Sequence, residues 1–86
     1  MKIVYHKNFL KRYKKLSKDL RTKVEDAILL FSKNPKNKKL QNHALKGNMK
    51  GKRAISVAGD VRIIFEEHDN YVLVIMLDVG SHNQVY

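Results

Sequence analysis

The sequence predicts an α+β fold: an N-terminal strand, an αα-hairpin, then a three-stranded antiparallel meander, forming a compact sheet with the two helices packed on one face. Three observations carry this. The chain has 86 residues, 43% of them hydrophobic, enough for one core that buries about 60–65% of the unfolded surface. Apolar residues recur at helical spacing from Phe9 to Phe31. Residues 53–79 then change to β-branched, alternating runs broken by short turns. A domain of this size, taken as residues 1–86, excludes Rossmann architectures and (β/α) barrels.

Each element has a local reason. Lys2-Ile3-Val4-Tyr5 alternates and is rich in β-branched and aromatic side chains, so it reads as a short strand. With Asn8 as a possible cap, Phe9, Leu10, Tyr13 and Leu16 form one helical stripe, while Lys11, Arg12, Lys14, Lys15 and Lys18 fill the other face. A second helix begins near Ser17 or Asp19, where Leu20, Val24, Ala27, Ile28 and Phe31 follow the amphipathic template, and Asn34-Pro35 ends it. Residues 35–52 are polar and basic, with Leu40, Leu45 and Met49 as isolated anchors. They read as a long surface loop, a length at which loops are usually functional or disordered. Strands follow over residues 53–57, 61–67 and 71–79, separated by Ala58-Gly59-Asp60 and His68-Asp69-Asn70, which suit tight antiparallel turns. The run VLVIML, residues 72–77, is apolar on both faces, as in a central strand.

Charge is distributed unevenly. Of 18 Lys and Arg, 17 fall in residues 1–53 against three acids, Asp19, Glu25 and Asp26, a balance of +14. Residues 54–86 hold five acids and one cation, Arg62, a balance of −4. Such an excess of cations repels itself in the free protein and is relieved by a polyanion, whose released counterions drive association. The chain contains no Cys, so no disulfide frame or thiolate metal site supplements the core, and the cytoplasm is the expected compartment. The run at 72–77 is far shorter than the roughly 20 residues that span a bilayer, and the N-terminus is no signal peptide, so no membrane association is expected.

Several chemistries lack support. His6, His43, His68 and His82 show no HxxxH or HExxH spacing, so no metal is expected. No GxxxxGK[ST] or GxGxxG occurs, and Ser32, Ser56 and Ser81 lie in no nucleophile elbow. What remains is polar residues on the last strands and the loop before them. In Val61-Arg62-Ile63-Ile64-Phe65, alternation sends Val61, Ile63 and Phe65 to one face and Arg62 to the other. Asp60 opens that strand, and Gly80-Ser81-His82-Asn83-Gln84-Val85-Tyr86 closes the chain with a His and a terminal ring that a core does not require. Singly, these residues are a strand-surface cation, a turn acid and a solvated tail.

Taken together, four segments resemble the RelE/ParE superfamily of toxins from type II toxin–antitoxin systems, and most closely its YafQ-like, ribosome-dependent mRNA interferase branch. They are His43-Ala44-Leu45-Lys46-Gly47, Lys50-Gly51-Lys52-Arg53, Gly59-Asp60-Val61-Arg62-Ile63-Ile64-Phe65, and residues 80–86. The resemblance spans essentially the whole chain and implies a RelE-like fold. It implies catalytic roles for His43, Asp60 and His82, a base-stacking ring at Tyr86, and a phosphate-stabilising cation at Arg62. Two positions depart from the pattern: Ser56 stands where the branch has a further His, and Val61 where an aromatic residue follows the acid. Those losses fit an attenuated enzyme.

The implied reaction has a physical rationale. Metal-independent RNA cleavage needs a base for the 2′-hydroxyl proton, an acid for the departing 5′-oxygen and a cation for the phosphoryl charge. His82 suits the acid, and Asp60 or His43 the base. An unperturbed imidazole titrates near neutrality, whereas an Asp serves only as base or orienter. Arg62 presents a planar fork to phosphate oxygens. Lys46, Lys50, Lys52 and Arg53 would hold the RNA backbone, and Lys11, Lys14, Lys15 and Lys18 would dock on ribosomal RNA. No cofactor is expected. Expected partners are the ribosome, its mRNA and a cognate antitoxin in a toxin–antitoxin hetero-oligomer. The alternative is a ParE-like inhibitor of a protein target such as DNA gyrase, which would have no need of His82 and Tyr86 beside Asp60 and Arg62. A nucleic-acid-binding module that is no toxin is a third reading, without a helix-turn-helix or RNP motif to support it.

Overall fold

A computed structural model describes residues 1–86 as a mixed sheet with helices on both faces. The elements are β1 (Lys2–Tyr5), α1 (Lys7–Lys15), α2 (Lys18–Lys33), β2 (His43–Ala44), β3 (Arg53–Ala58), β4 (Val61–His68), β5 (Leu73–Ser81) and α3 (His82–Val85). The five strands lie in the order β1-β5-β4-β3-β2. β3, β4 and β5 form the antiparallel meander, and β1 joins its edge in parallel, with Lys2 opposite Leu73 and Tyr5 opposite Met76. The helical hairpin carries the chain from β1 at one edge of the sheet to β2 at the other, and the meander then returns to place β5 beside β1.

That hairpin covers one face of the sheet. Phe9 of α1 and Val24, Ala27 and Phe31 of α2 pack on Ile55, Val61, Ile63, Phe65, Val74, Met76 and Val79 in one buried cluster. Phe31 meets Phe65 edge-on with ring centroids 4.9 Å apart, a geometry aromatic quadrupoles favour. Leu10, read as part of the apolar stripe of α1, is instead exposed, and the stripe narrows to Phe9, Tyr13 and Leu16. Ser17 caps α2 by accepting from the Leu20 amide. The cap of α1 is His6, whose Nδ1 accepts from the Asn8 amide at 3.0 Å, so Asn8 lies inside the helix rather than at its cap.

Two further expectations are corrected, and one element is added. The long loop is not without regular structure: 3₁₀ turns at Lys38–Leu40 and Gly47–Met49 flank β2, and Leu40 is fully buried as its anchor. β2 pairs His43 with Ala54 and Ala44 with Arg53, and a two-residue strand is too short to leave a period in the sequence. The last strand begins at Leu73 rather than residue 71, because Asp69, Asn70 and Tyr71 all take left-handed backbone conformations in the turn. Finally, the C-terminal tail is helical and folds onto the sheet face opposite the hairpin, where Val85 packs against Ala54 and Ile64.

A bulge in β5 sets the parity of that second face. Ile64 opposes Asp78 while Phe65 opposes Met76, which leaves Leu77 as the extra residue. Phe65 and Met76 therefore stay in the main core, while Ile64, Leu77 and Asp78 turn to the side that carries α3.

Candidate active site

The second sheet face is where chemistry-bearing side chains gather. Cross-strand partners share a face, so the pairings His43↔Ala54↔Ile64 and Ser56↔Arg62↔Gly80 place His43, Ser56 and Arg62 on the same side as Val85. On this side a groove of about 500 Å³ is lined by His43, Leu45, Arg62, His82 and Tyr86.

α3 has four residues, far below the length at which a helix stands alone, so its surroundings must hold it. Ser81 and Gln84 form a capping box, with the Ser81 amide donating to Gln84 Oε1 at 2.8 Å. The His82 amide donates to the Asp60 carbonyl at 2.9 Å, and the Tyr86 amide to the His82 carbonyl at 3.0 Å. Gly80 is buried beneath Gln84: a Cβ there would come within 2.6 Å of Gln84 Oε1. With Val85 turned into the small core, helical spacing brings His82 and Tyr86 together on the groove side, their rings edge to face at 4.3 Å.

Arg62 is half-buried and already oriented. Its Nη1 donates to the carbonyls of Gly59 at 2.8 Å and Val61 at 3.1 Å, which leaves Nη2 and Nε to offer a fork to an anion. Burial pushes the Tyr86 phenol above its ordinary pKa, and the Arg62 charge partly opposes that shift, so the ring remains a neutral stacking surface near neutral pH. His43 is exposed, with Nδ1 2.9 Å from the Gln41 carbonyl. A carbonyl can only accept, so in the neutral ring Nδ1 carries the proton and Nε2 is left as the basic nitrogen.

The other residues singled out in the sequence lie at varying distance from the groove. Asp60 is exposed and does not line it; its contribution there is the carbonyl that fixes the start of α3. Lys46 and Lys50 are exposed on the segment that follows β2. Lys52 lines a neighbouring cleft of about 410 Å³ with His6, Glu66 and Asp78, on the same sheet face. Arg53 is separated from this group. Its Nε donates to Asn42 Oδ1 at 2.8 Å, and Asn42 Nδ2 donates to the Tyr71 hydroxyl and the Pro35 carbonyl, each at 3.0 Å. Arg53 thus ties the 35–52 segment to the β4–β5 turn. Sequence reasoning assigned no role to Gln84, although Ser81-His82-Asn83-Gln84 has the S-x-x-Q spacing of a capping box. No three His, Asp or Glu side chains cluster as a metal site, and no helix is long and apolar enough to cross a membrane.

This fold is that of toxins from type II toxin–antitoxin systems. YafQ from E. coli superposes with a TM-score of 0.82 at 24% identity, over 98% of this chain and 96% of that one. A copper-bound mutant toxin from Helicobacter pylori gives 0.74 at 27% identity, over 100% and 99%. YafQ in the E. coli DinJ-YafQ complex gives 0.69 at 23%, over 98% and 96%. Within that class, residues 1–86 match the family described as bacterial toxin of type II toxin–antitoxin system, YafQ, and the chain belongs to that family. No protein of curated function matches it significantly in sequence.

Proposed function

We propose that this toxin is a ribosome-dependent, metal-independent endoribonuclease that cleaves translated mRNA. The observation that carries the reading is the gathering of His43, Arg62, His82 and Tyr86 around one groove from β2, β4 and the C-terminal segment. His43 Nε2 takes the proton of a 2′-hydroxyl, and the 2′-oxygen attacks the adjacent phosphorus. The free fork of Arg62 meets the charge that develops on the phosphoryl oxygens, and protonated His82 gives its proton to the departing 5′-oxygen. Tyr86 stacks on a base beside the cut. Asp60 acts through its backbone, which leaves His43 as the base that the geometry favours. Lys46, Lys50 and Lys52 hold the message on the same face, and the basic half of the chain docks on ribosomal RNA.

The reading implies a cytoplasmic protein, since that is where translated messages are, and a toxin–antitoxin hetero-oligomer. Solved complexes of fold relatives, DinJ-YafQ and YoeB-YefM, support a cognate antitoxin. An acidic partner would neutralise the cations that repel each other in the free chain.

The test is the chemistry of the ends produced when a defined message is translated on purified ribosomes with the toxin. Attack by the 2′-oxygen predicts upstream fragments ending in 2′,3′-cyclic phosphate and downstream fragments beginning with a 5′-hydroxyl. Fragments beginning with 5′-phosphate would overturn the mechanism. Growth arrest with every message intact would overturn the nuclease reading in favour of a protein target such as DNA gyrase.

A further inference from the structure

β1 pairs with β5 only as far as Met76, so the edge of residues 77–81 is left without a strand partner. Here Arg12 of α1 reaches across. Its Nε lies 3.3 Å from Asp78 Oδ1, and its Nη1 donates to the Gln84 carbonyl at 3.3 Å. Asp78 is held in place for this contact, since its Oδ1 also accepts from the Val79 amide at 2.9 Å and its side chain is 18% exposed. Gln84 O lies in the last turn of α3, one of the carbonyls that a helix terminus leaves without an internal partner.

We infer that Arg12 and Asp78 are a positioning pair for α3, and through it for His82 and Tyr86. The other restraints on α3 come from the strands that it lies on and from its own ends: the Ser81–Gln84 capping box, the Asp60 carbonyl and the seat of Val85 on Ala54 and Ile64. Arg12 alone adds a hydrogen bond from the helical hairpin. One guanidinium holds α3 to β5 and α1 at once, with different nitrogens of its rigid fork meeting the Asp78 carboxylate and the Gln84 carbonyl. Asp78 lies opposite Ile64, and Arg12 points into a cleft between α1 and α3 that it shares with Lys11, Lys15 and Gln84. Neither residue lines the groove that holds His43 and Arg62, so their effect on the reaction is indirect. The catalytic consequence rests on the nuclease reading above; the structural one does not.

Asp78→Asn is the informative variant, because it removes the ion pair without touching the cationic surface and keeps an oxygen that can accept from the Val79 amide. Asp78→Asn and Arg12→Gln should each speed amide exchange at Val85 and Tyr86 while leaving β4 unchanged. Each should lower kcat for message cleavage by about tenfold or more, the scale of a small misplacement of a catalytic group. Asp78→Asn should not weaken ribosome binding, since it removes a negative charge and no cation, and the double variant should be no slower than the slower single one. Unchanged exchange at Val85 and Tyr86 in Asp78→Asn would overturn the inference. So would exchange that rises equally in β4, which marks a general loss of stability, or kcat losses that multiply in the double variant. If the wild-type protein cuts no message, the nuclease reading fails and the exchange measurement alone decides the role of the pair.

Discussion

Replacing Arg62 with Gln removes the one guanidinium in the groove and little else. Its two hydrogen bonds go to carbonyls of the β3–β4 turn and its vicinity, at Gly59 and Val61, which can turn to water, so the cost in stability is small. The kinetic cost follows from the charge. Phosphoryl transfer through 2′-attack adds about one negative charge to the phosphoryl oxygens between ground and transition state, and only that increment counts toward rate. A unit charge about 4 Å away is worth about 1 kcal/mol in water and about 4 kcal/mol near a protein surface. Arg62 is half-buried at an open groove, between those limits, so about 2–3 kcal/mol is at stake, or about 30- to 150-fold in cleavage. Docking should change much less, because the chain retains its 17 other Lys and Arg. The assay is single-turnover cleavage of ribosome-bound message, with ribosome affinity measured across salt concentrations. If affinity falls as much as cleavage and the slope of log affinity against log salt shrinks by about one, Arg62 is a docking residue and the reasoning fails. A reading independent of activity accompanies it. Arg62 opposes the burial that raises the Tyr86 pKa, so Arg62→Gln should move the Tyr86 phenol further upward in a spectrophotometric titration.

Three other outcomes follow from the geometry. Gly80→Ala drives a Cβ into Gln84 Oε1; the flexible Gln84 side chain should rotate away and lose its bond to the Ser81 amide. That costs about 1 kcal/mol in urea unfolding and cuts cleavage severalfold in the same preparation. Tyr71→Phe keeps the ring against Phe31 and Phe65 but removes the hydroxyl that accepts from Asn42, so Tm should drop by about 4–8 °C for a loss of about 1 kcal/mol. Ser56→His places an imidazole directly across from Arg62; the neighbouring cation should hold its pKa below the ordinary His range, and cleavage should rise with the gain extending to lower pH than in the wild type. A slower enzyme would show that this position does not face the reacting atoms.

Strong periodicity over long runs made most of the frame legible. The stripe from Leu20 to Phe31 specifies α2, and the alternation in residues 61–65 specifies both β4 and the side on which Arg62 lies. What escaped was short or determined by distant contacts. β2 has two residues and α3 has four, neither long enough to show a period. The β4–β5 turn lies one residue later than the expected His68-Asp69-Asn70, at Asp69-Asn70-Tyr71, because nothing local announces that an aromatic residue joins it in a left-handed conformation. Arg53 is instructive because parity was available: it lies two residues before Ile55, hence on the hairpin side, yet its proximity to Lys50 and Lys52 suggested RNA. In the site, the gathering of His43, Arg62, His82 and Tyr86 could be anticipated only through the family resemblance, since residues 43 and 82 meet by tertiary folding. The tautomer of His43 required the Gln41 carbonyl, which no sequence pattern reveals.

The central claim is that the groove residues cut RNA. Its most direct test is translation of a defined mRNA on purified ribosomes with wild-type toxin beside His82→Ala, the message ends mapped by primer extension. Codon-linked cuts are expected with the wild type, and their loss in the variant while ribosome binding persists. Equal cutting by both proteins would remove His82 from the chemistry, and intact messages beside arrested growth with the wild type would mean that the groove cuts no RNA.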